Sequence, residues 1–592
     1  MRQEREFTGG HVPGATYIEL GSLTAQVAGA PDRAVVACGH RERAMTAASL
    51  LERAGPTGIA VLDGVPRGSA VEDGDVGGPA PVNATPRGPR PRTVRQVWPG
   101  TRREACEATR TGGESVADVD VVVVGAGVLG RSVAYALACA EPELRIVLSG
   151  RRGPGASRAA GAMLGVLGEV TAAGLRTRHG GLRLNMAVEA AARWPAWREG
   201  VRERAGAAAP ADGYGAGTYV LLNTVSGPLD ESAVEAMRTA GARHGLPVEE
   251  SAVPDVPAYR PLDNDRALRA VFLPRERFLD ARRWLRSLDA ALRALPNVHR
   301  TGTGRLRAHG SGYELATREG AFRAGRVVVA AGAWSSALLE RVDPELPVLP
   351  VVAAEGSAVA LRPSAAPVPP VVLRTPNRAY ACGLHAVPQA DGTWYLGASA
   401  APALLPGDAP TAGALHFLLG AGLGQLHHGL TGARIDRVHH GNRPVGLDGH
   451  PLLGNAGRPG LWVATGTHRD GLHASPLIAQ ELAGEILRGE PSPWLAPWRP
   501  NRQPISDWTT AEAVEEAAAH HAALAAESRM RPPLTGDWPG LLAGAYRQLM
   551  EQTYAGMPDG YVLPPELAPL GYEHGPALAK LAQRHLDRLA AG

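Results

Sequence analysis

The stretch 119–138, VDVVVVGAGVLGRSVAYALA, decides the fold of the central part of this chain. Its strand-like apolar run ends in a turn made of Gly125, Ala126, Gly127, Val128, Leu129 and Gly130. Gly125 permits a tight turn, Gly127 lets a phosphate approach the backbone, and Gly130 lets a helix pack closely on a strand. Because the N–H groups that open a helix attract phosphates, the stretch predicts an α/β unit that binds a dinucleotide.

The next predicted strand, LRIVLS, ends at Ser149, where such units usually carry an acidic residue that binds the ribose hydroxyls. Arg151 and Arg152 follow, and an arginine at this place can accommodate the 2′-phosphate of NADP. The turn by itself therefore leaves FAD and NADP open. A serine keeps one neutral ribose contact, so we expect a bound dinucleotide to be held more weakly by about 1–3 kcal/mol.

Composition excludes several classes of function. A net charge of +3 over 592 residues gives no reason to expect nucleic acid or an anionic membrane as a partner, and no apolar run is long enough to suggest a membrane span. The four cysteines are scattered, which favours a cytoplasmic protein without a thiolate metal site. Lys580 is the only lysine, so a Walker-type phosphate loop and a core Schiff base are excluded.

The pattern along the chain predicts four segments. The first alternates short strands (AVVAC, IAVLDG) with helices, the second is a Pro- and Gly-rich linker, the third mixes βα units with β-rich stretches, and the fourth is helical. Their predicted bounds are 1–72, 73–115, 116–504 and 505–592. On the Ala- and Glu-rich helix of the last segment, we interpret His520 and His521 as part of a solvated face.

Six blocks recur in the order in which one enzyme family carries them. They are GASRAAGAML (155–164), RFLDARRWLRSL (277–288), GRVVVAAGAWSSALL (325–339), DGTWYLGAS (391–399), GNRPVGLDGHPLLG (441–454) and LWVATGTHRDGLHASPLIAQELAGEIL (461–487). Together, over about 118–500, they resemble the glycine oxidase and D-amino acid oxidase family of FAD enzymes. The resemblance implies an α/β fold in which a Rossmann-type FAD-binding domain is interleaved with a β-rich substrate domain, and it favours FAD over NADP.

The resemblance also implies which residues hold FAD. Beside the glycine-rich turn, the implied cofactor residues are Ser149, Ser157, Ala159, Ala160, Gly161, Gly332, Gly466, Gly471 and Leu472. A helix predicted to start near Ser475 places backbone N–H groups where they can stabilise negative charge on a reduced flavin.

On the substrate side, the resemblance implies that Arg443 binds a carboxylate, since a planar guanidinium fixes both charge and orientation. Arg469 occupies a second position that lines the site. The sequence departs from the family pattern at His385, Gln389 and His468, where tyrosine, arginine and tyrosine are usual. These changes speak against a simple glycine or D-alanine substrate and leave a bulkier or N-substituted amino acid as an equal alternative. The two imidazoles predict an added pH dependence.

The start of the chain, with AVVACGHRERAMTAASLL, resembles a rhodanese domain. Cys38 would be the reactive thiol, and Arg43 would close its loop; backbone N–H groups there would lower the thiol pKa and steady a persulfide. The usual first strand is missing, which predicts a partial domain. It also motivates the hypothesis that Met1 is a misassigned start inside a longer reading frame.

Two functions follow from these resemblances. The first is FAD-dependent oxidation of an amino acid or N-substituted amine by hydride transfer, with oxygen as the electron acceptor and an imine or oxo acid and hydrogen peroxide as products. The alternative is a rhodanese-type sulfurtransferase, served by a persulfide donor, with an accessory or degenerate flavoprotein domain. The oligomeric state stays open.

Overall fold

The computed structural model describes residues 33–37, 58–62, 116–150, 153–364, 368–377, 383–528, 530 and 537–591. They belong to two compact units, Met1–Thr109 and Arg110–Gly592. In the first unit, strands β1 (Arg33–Ala37) and β2 (Gly58–Leu62) pair in parallel, where the sequence predicts strands. Cys38 and Arg43 lie outside the described residues.

The second unit holds the remaining strands and all the described helices. The strands are β3 (Val116–Val124), β4 (Ile146–Ser149), β5 (Met163–Leu164), β6 (Gly215–Asn223), β7 (Glu249–Ser251), β8 (Ala267–Phe278), β9 (Val298–Thr301), β10 (Arg305–His309), β11 (Gly312–Thr317), β12 (Gly320–Val329), β13 (Val351–Arg362), β14 (Val372–Arg374), β15 (His385–Pro388), β16 (Trp394–Gly397), β17 (Ala401–Ala403), β18 (Arg434–Gly446), β19 (Leu452–Asn455) and β20 (Leu461–Thr465). The helices are α1 (Val128–Ala140), α2 (Ala156–Ala159), α3 (Ala172–Arg176), α4 (Arg178–Ala205), α5 (Pro228–His244), α6 (Ala281–Arg293), α7 (Ser335–Val342), α8 (Ala412–Gln425), α9 (Ser475–Arg488), α10 (Thr510–Glu527), α11 (Trp538–Ala555) and α12 (Ala568–Ala591).

The first sheet is doubly wound. Its parallel strands lie in the spatial order β9-β4-β3-β12-β20, and the antiparallel strands β11 and β19 extend it along β12 and β20. The direction of winding reverses between β3 and β12. In open α/β sheets, ligands bind outside the carboxyl ends of the strands at such a reversal, so the topology places a binding crevice beside the glycine-rich turn.

The second half of strand β3, Val121–Val124, is buried on both faces, as a continuous valine run predicts for a parallel strand. Val121 and Val123 pack into the core formed with α1, α4, α6 and α9, whereas Val122 and Val124 pack into a second core on the other face. That second core includes buried residues of all three C-terminal helices. The C-terminal segment is therefore helical, as predicted, and it covers one face of the dinucleotide-binding sheet.

The second sheet is mixed, and we call it the substrate sheet because it carries Arg443 and His385, which the resemblance assigns to the substrate. Its strand order is β17-β13-β16-β15-β14-β6-β8-β5, with β18 paired to β13 and β7 paired to β8. Arg443 lies on β18 opposite Ala354 of β13, and His385 begins β15. The chain crosses between the two sheets several times, so both domains are interleaved as the sequence predicts.

The predicted solvated face of α10 is wrong at His520. The side chain is 3% exposed, and its Nε2 lies 2.9 Å from a carboxylate oxygen of Glu516, one helical turn earlier. The Ala-rich pattern hid this burial because small residues allow close packing of a helix on any face. His521 is packed against the rings of Tyr546 and Tyr572.

Candidate active site

The glycine-rich turn has a backbone that only glycine fits at two of its positions. Gly125 has φ of +123°, and a Cβ there would overlap the carbonyl oxygen of Ala330; a Cβ on Gly130 would overlap the carbonyl oxygen of Gly125. Gly127 caps α1 without a side-chain hydrogen bond, and the first turn of α1 carries no acidic residue. The positive end of α1 is therefore not neutralised by its own residues, which suits a phosphate.

Ser157 is brought to this turn from the following segment. Its hydroxyl accepts a hydrogen bond of 2.9 Å from the N–H of Val128, in the first turn of α1. The fold thus joins two sets of residues that the family resemblance assigns to the cofactor. Ala126, Gly127 and Leu129 complete the same turn.

Ser149 ends β4 beside Val124 of β3. The side chain is buried, and its hydroxyl donates to the carbonyl oxygen of Gly302 at 2.7 Å. With its hydrogen committed to that carbonyl, the hydroxyl can only accept from a ribose O–H. The weaker hold on the dinucleotide stays a prediction, and this geometry supplies a reason for it.

The segment around α2 connects the two sheets. The Tyr395 hydroxyl donates to the carbonyl oxygen of Ala159 at 2.6 Å, and the N–H of Asn442 donates to the carbonyl oxygen of Pro154 at 3.1 Å. A Cβ on Gly161 would lie 2.7 Å from the Tyr395 ring and 3.2 Å from Nε2 of His385. Ala159, Ala160 and Gly161 therefore lie between the dinucleotide turn and the substrate sheet.

A second helix begins at the same edge of the dinucleotide-binding sheet. After β20 the chain turns through Gly466 (φ +71°), and α9 starts at Ser475 without a side-chain cap or an acidic residue in its first turn. The Thr465 hydroxyl donates to the carbonyl oxygen of Gly332 at 3.0 Å, which ties this turn to the one after β12. Gly471 and Leu472 lie between the turn and α9, and Leu472 is buried.

Arg443 is partly buried and lies on β18, which pairs with β13 in the substrate sheet. Its Nη1 donates to the carbonyl oxygen of Ser399 at 3.1 Å, and its guanidinium passes over Gly356, where any larger residue would collide with it. A guanidinium has five N–H donors. The bond to Ser399 orients the guanidinium and leaves several donors for a carboxylate.

His385 and His468 are neutral at physiological pH. Burial lowers the pKa of His385 to about 4, with Arg374 and Arg443 adding to the effect against the bond between Nδ1 and the Gly383 carbonyl (2.7 Å). Burial, followed by Arg469 and Arg443, holds the pKa of His468 well below its ordinary value. The expected pH dependence of the two imidazoles thus moves out of the physiological range, because burial beside arginines disfavours their charged form.

His468 occupies a backbone conformation that is rare for a residue with a side chain. Its φ is +46°, and its N–H donates to the carbonyl oxygen of Pro444 at 2.7 Å. Such conformations cluster at functional sites. The bond fixes the turn that carries His468 and Arg469 against the strand that carries Arg443.

A buried ion-pair network lies behind Arg469, and no motif in the sequence predicts it. Glu169 accepts from Nη1 of the fully buried Arg374 at 2.8 Å and from Asn377 at 2.5 Å, and Arg469 approaches it to 3.9 Å. Burial alone would disfavour the carboxylate, but Arg374 and Arg469 outweigh it and lower the pKa of Glu169 to about 2. The only available signal was an arginine at the end of an otherwise apolar strand, VVLR.

Replacing Arg374 with methionine is expected to destabilise the protein by about 3–5 kcal/mol, because it leaves the buried Glu169 carboxylate without its closest cation. Denaturant unfolding of the variant measures this loss. Arg305→Met, at an exposed position of β10, is the matched control and should change the unfolding free energy by less than about 0.5 kcal/mol. Equal stability of the two variants would contradict the role given to Arg374.

The unfolding free energy is expected to fall as the pH drops from 7 to 4. The pKa of His385 is about 4 in the folded protein, against an ordinary value of 6.5, so the unfolded chain binds a proton first. Stability that is present above pH 6.5 is lost as the pH falls through 4, by about 3 kcal/mol for this group. Urea unfolding at several pH values should give a shallower dependence for His385→Asn than for the wild type; identical slopes would contradict the prediction.

The geometry of the two helix N-termini defines a class of protein. Two helices begin at the carboxyl edge of one doubly wound sheet, α1 after β3 and α9 after β20, and neither is capped by an acid. These two positive ends fit the two electron-rich parts of FAD, the pyrophosphate and the reduced flavin. With Arg443 and Arg469 on the adjoining side, the arrangement is that of a two-domain flavin-dependent oxidoreductase.

The comparisons with known proteins place the chain within that class. Residues 120–485 match the model of the DAO family, FAD dependent oxidoreductase, and the chain belongs to this family. FAD is therefore its cofactor, and the enzyme is of the glycine oxidase type, a type that acts on CH–NH or CH–NH2 donors. Residues 1–65 match the model of the rhodanese-like domain. The predicted family, fold class and cofactor are confirmed; the individual site residues stay predictions.

Individual relatives agree. The chain is 30% identical to glycine oxidase of Geobacillus kaustophilus (strain HTA426) over 64% of this chain and 96% of the relative. It is 31% identical to glycine oxidase of Pseudomonas aeruginosa PAO1 over 64% of this chain and 98% of the relative. The crystal structure of glycine oxidase from Geobacillus kaustophilus superposes with a TM-score of 0.55 at 26% identity, covering 65% of this chain and 99% of that structure. Among the described residues, no helix is long and apolar enough to cross a membrane.

Proposed function

We propose that this enzyme oxidises an amino acid, primary or N-substituted, to the imine, which water hydrolyses to the oxo acid. Bound FAD supplies the acceptor for the hydride from the carbon next to nitrogen and the route by which both electrons reach oxygen, giving hydrogen peroxide. The observation that carries the proposal is the placement of Arg443, a partly buried guanidinium bonded to the Ser399 carbonyl. It lies on the sheet that contacts the cofactor segment through Tyr395 and Ala159.

The protein's part in the reaction is orientation and charge. Arg443 binds the substrate carboxylate and so fixes the carbon that reacts. His385 carries a hydrogen on Nδ1, which points at the Gly383 carbonyl, so the neutral ring offers Nε2 as an acceptor for the substrate amine. The N-terminus of α9 stabilises negative charge that develops during hydride transfer. No side chain has to remove a proton if the amine binds uncharged.

The residues around Arg443 restrict the substrate to a subset of amino acids. The relatives named glycine oxidase make glycine the first amino acid to test. His385 and Gln389 replace larger or charged groups, so we propose a substrate with a side chain or an N-substituent. Gln389 hydrogen-bonds Arg282, which keeps it on the wall of the substrate sheet.

The test is a visible spectrum of the purified protein, followed by anaerobic mixing with single amino acids. A bound-flavin spectrum that bleaches with an amino acid, and peroxide formed on admitting air, are the expected results. A flavin that no amino acid or N-methyl amino acid bleaches would refute the proposal. Bleaching without peroxide would keep the oxidation step and refute oxygen as the acceptor.

A second activity is favoured by the rhodanese-like match over residues 1–65. We propose that Cys38 accepts sulfur from a thiosulfate or persulfide donor, in a cytoplasmic protein whose thiols stay reduced. The assay is thiocyanate formation from thiosulfate and cyanide, which should be lost in Cys38→Ser while flavin reduction is unchanged. If the wild type forms no thiocyanate, the sulfurtransferase proposal is refuted and the oxidase proposal is unaffected.

A further inference from the structure

The C-terminal segment forms one wall of a cavity of about 150 Å³ whose other wall belongs to the oxidase domain. The oxidase side contributes Glu169, Arg183, Arg469 and Asp470, and the C-terminal segment contributes Asp507, Trp508, Glu516, His520 and Glu566. A cavity of this volume accommodates about six non-hydrogen atoms, since one of the same size binds benzene. It therefore fits the side chain of an amino acid, and Arg469 places it next to the candidate substrate site.

Most of the charged residues that line the cavity are paired, either with another lining residue or with a residue behind the lining. Arg183 pairs with Asp470 at 2.6 Å and Glu169 with Arg374 at 2.8 Å. In the C-terminal segment, Asp507 pairs with His179 at 2.7 Å and Glu516 with His520 at 2.9 Å. Asp448, also in the wall, pairs with Arg502 at 2.8 Å.

Glu566 is the exception. Its carboxylate is half-buried and lines the cavity, yet within the described ranges it makes neither an ion pair nor a hydrogen bond. A half-buried carboxylate without a partner costs stability unless a ligand supplies one. The charge of Glu566 contributes to raising the pKa of Arg183, but Arg183 is already paired with Asp470.

The position of Glu566 is fixed by its neighbours. Pro565 and Leu567 on either side of it are buried in a short 3-10 turn. The Tyr561 hydroxyl donates to the carbonyl oxygen of Leu447 at 2.7 Å and anchors the preceding residues to the end of β18. The carboxylate is therefore presented by a rigid support.

Glu566 also reaches the strands that carry the substrate arginine. It lines a small cleft together with His468, Ala354 and Val445. Ala354 is the cross-strand partner of Arg443, and Val445 lies two residues beyond it on β18. The unpaired carboxylate thus lies between the turn of His468 and Arg469 and the strand of Arg443.

We propose that Glu566 is a specificity-determining residue that receives a cationic group at the end of the substrate side chain. The enzyme then oxidises amino acids with an ammonium or guanidinium side chain in preference to neutral ones. Arg443 would hold the carboxylate, and Glu566 the distal cation, in a charge-assisted hydrogen bond. The inference rests on the proposed amino acid oxidation, and it assigns a role to a segment beyond residues 120–485 of the family match.

The test compares the wild type with Glu566→Gln, which keeps the shape and removes the charge. Glu573→Gln, at an exposed position of α12, is the matched control. The amino acids are glycine and both enantiomers of alanine, ornithine and lysine. We expect kcat/KM for one basic enantiomer to exceed that for alanine about tenfold or more, and Glu566→Gln to reduce this preference by about 10- to 100-fold. Glu573→Gln should retain it.

A wild type that prefers glycine or alanine, or a Glu566→Gln variant that keeps the preference, would overturn the inference while the oxidase function stands. Binding of 2-methylornithine, which has no α-hydrogen to transfer, separates the two proposals. It should raise the melting temperature of the wild type and not that of Glu566→Gln. That result, together with a flavin that no amino acid bleaches, would refute the oxidase function but keep the binding role of Glu566. No shift in the wild type would overturn that role.

Discussion

Gly125→Ala is expected to purify without its flavin and without oxidase activity. An alanine at φ of +123° is strained, and its Cβ would overlap the carbonyl oxygen of Ala330 at the end of the neighbouring strand. Either β3 and β12 separate or the turn changes shape, and both outcomes displace the N-terminus of α1. We expect FAD affinity to fall by at least about 100-fold, equivalent to about 2.7 kcal/mol.

The measurement is the ratio of flavin to protein absorbance after purification, followed by titration of the apoprotein with FAD. Gly325→Ala is the control, because a Cβ at this position of β12 meets no atom within 4 Å. It should keep its flavin and its stability. A Gly125→Ala variant that is active and purifies with a full complement of bound FAD would show that the turn does not hold the dinucleotide.

The second large effect is expected at Arg443. Arg443→Leu should keep the flavin spectrum and lose about 30- to 4000-fold in kcat/KM, since truncating one partner of a buried charge pair costs about 2–5 kcal/mol. The larger part should be a rise in KM, because the carboxylate contact is present in the bound substrate as well as in the transition state. Arg443→Lys should recover part of the loss, since it restores charge but not the planar fork.

Arg437→Leu is the matched control for this variant, because Arg437 lies on the same strand with its side chain exposed. Its kcat/KM should stay within about twofold of the wild type. An unchanged KM of Arg443→Leu for the best substrate would show that another residue binds the carboxylate. Arg469, in the turn before α9, is then the next residue to replace.

The parts of the site that the sequence predicted are those whose chemistry is local. The strand, turn and helix at 119–138 are contiguous, and the glycines mark a turn that the neighbouring residues along the chain already favour. Ser475 as the start of a helix is likewise local, and α9 begins there. Glu169 and Arg374 lie 205 residues apart, and nothing in either neighbourhood marks them as partners.

The C-terminal segment shows the same limit. The sequence pattern predicts its helices, and the helices lie where the pattern places them. The pattern does not predict which face of each helix is buried, because alanine-rich helices present small residues in every direction. The pattern predicts a solvated His520, which is buried, and no motif marks Glu566.

The sequence by itself determined the dinucleotide turn, the order of family blocks and the helical character of the last segment, because strands, turns and caps depend on neighbours along the chain. Only the tertiary structure decided that His385 and His468 are neutral, that Arg374 and Glu169 share a buried network, and that Glu566 faces the same cavity as Arg469. Burial and charge pairing depend on which distant segments the fold brings together, and these quantities set the electrostatics of the site.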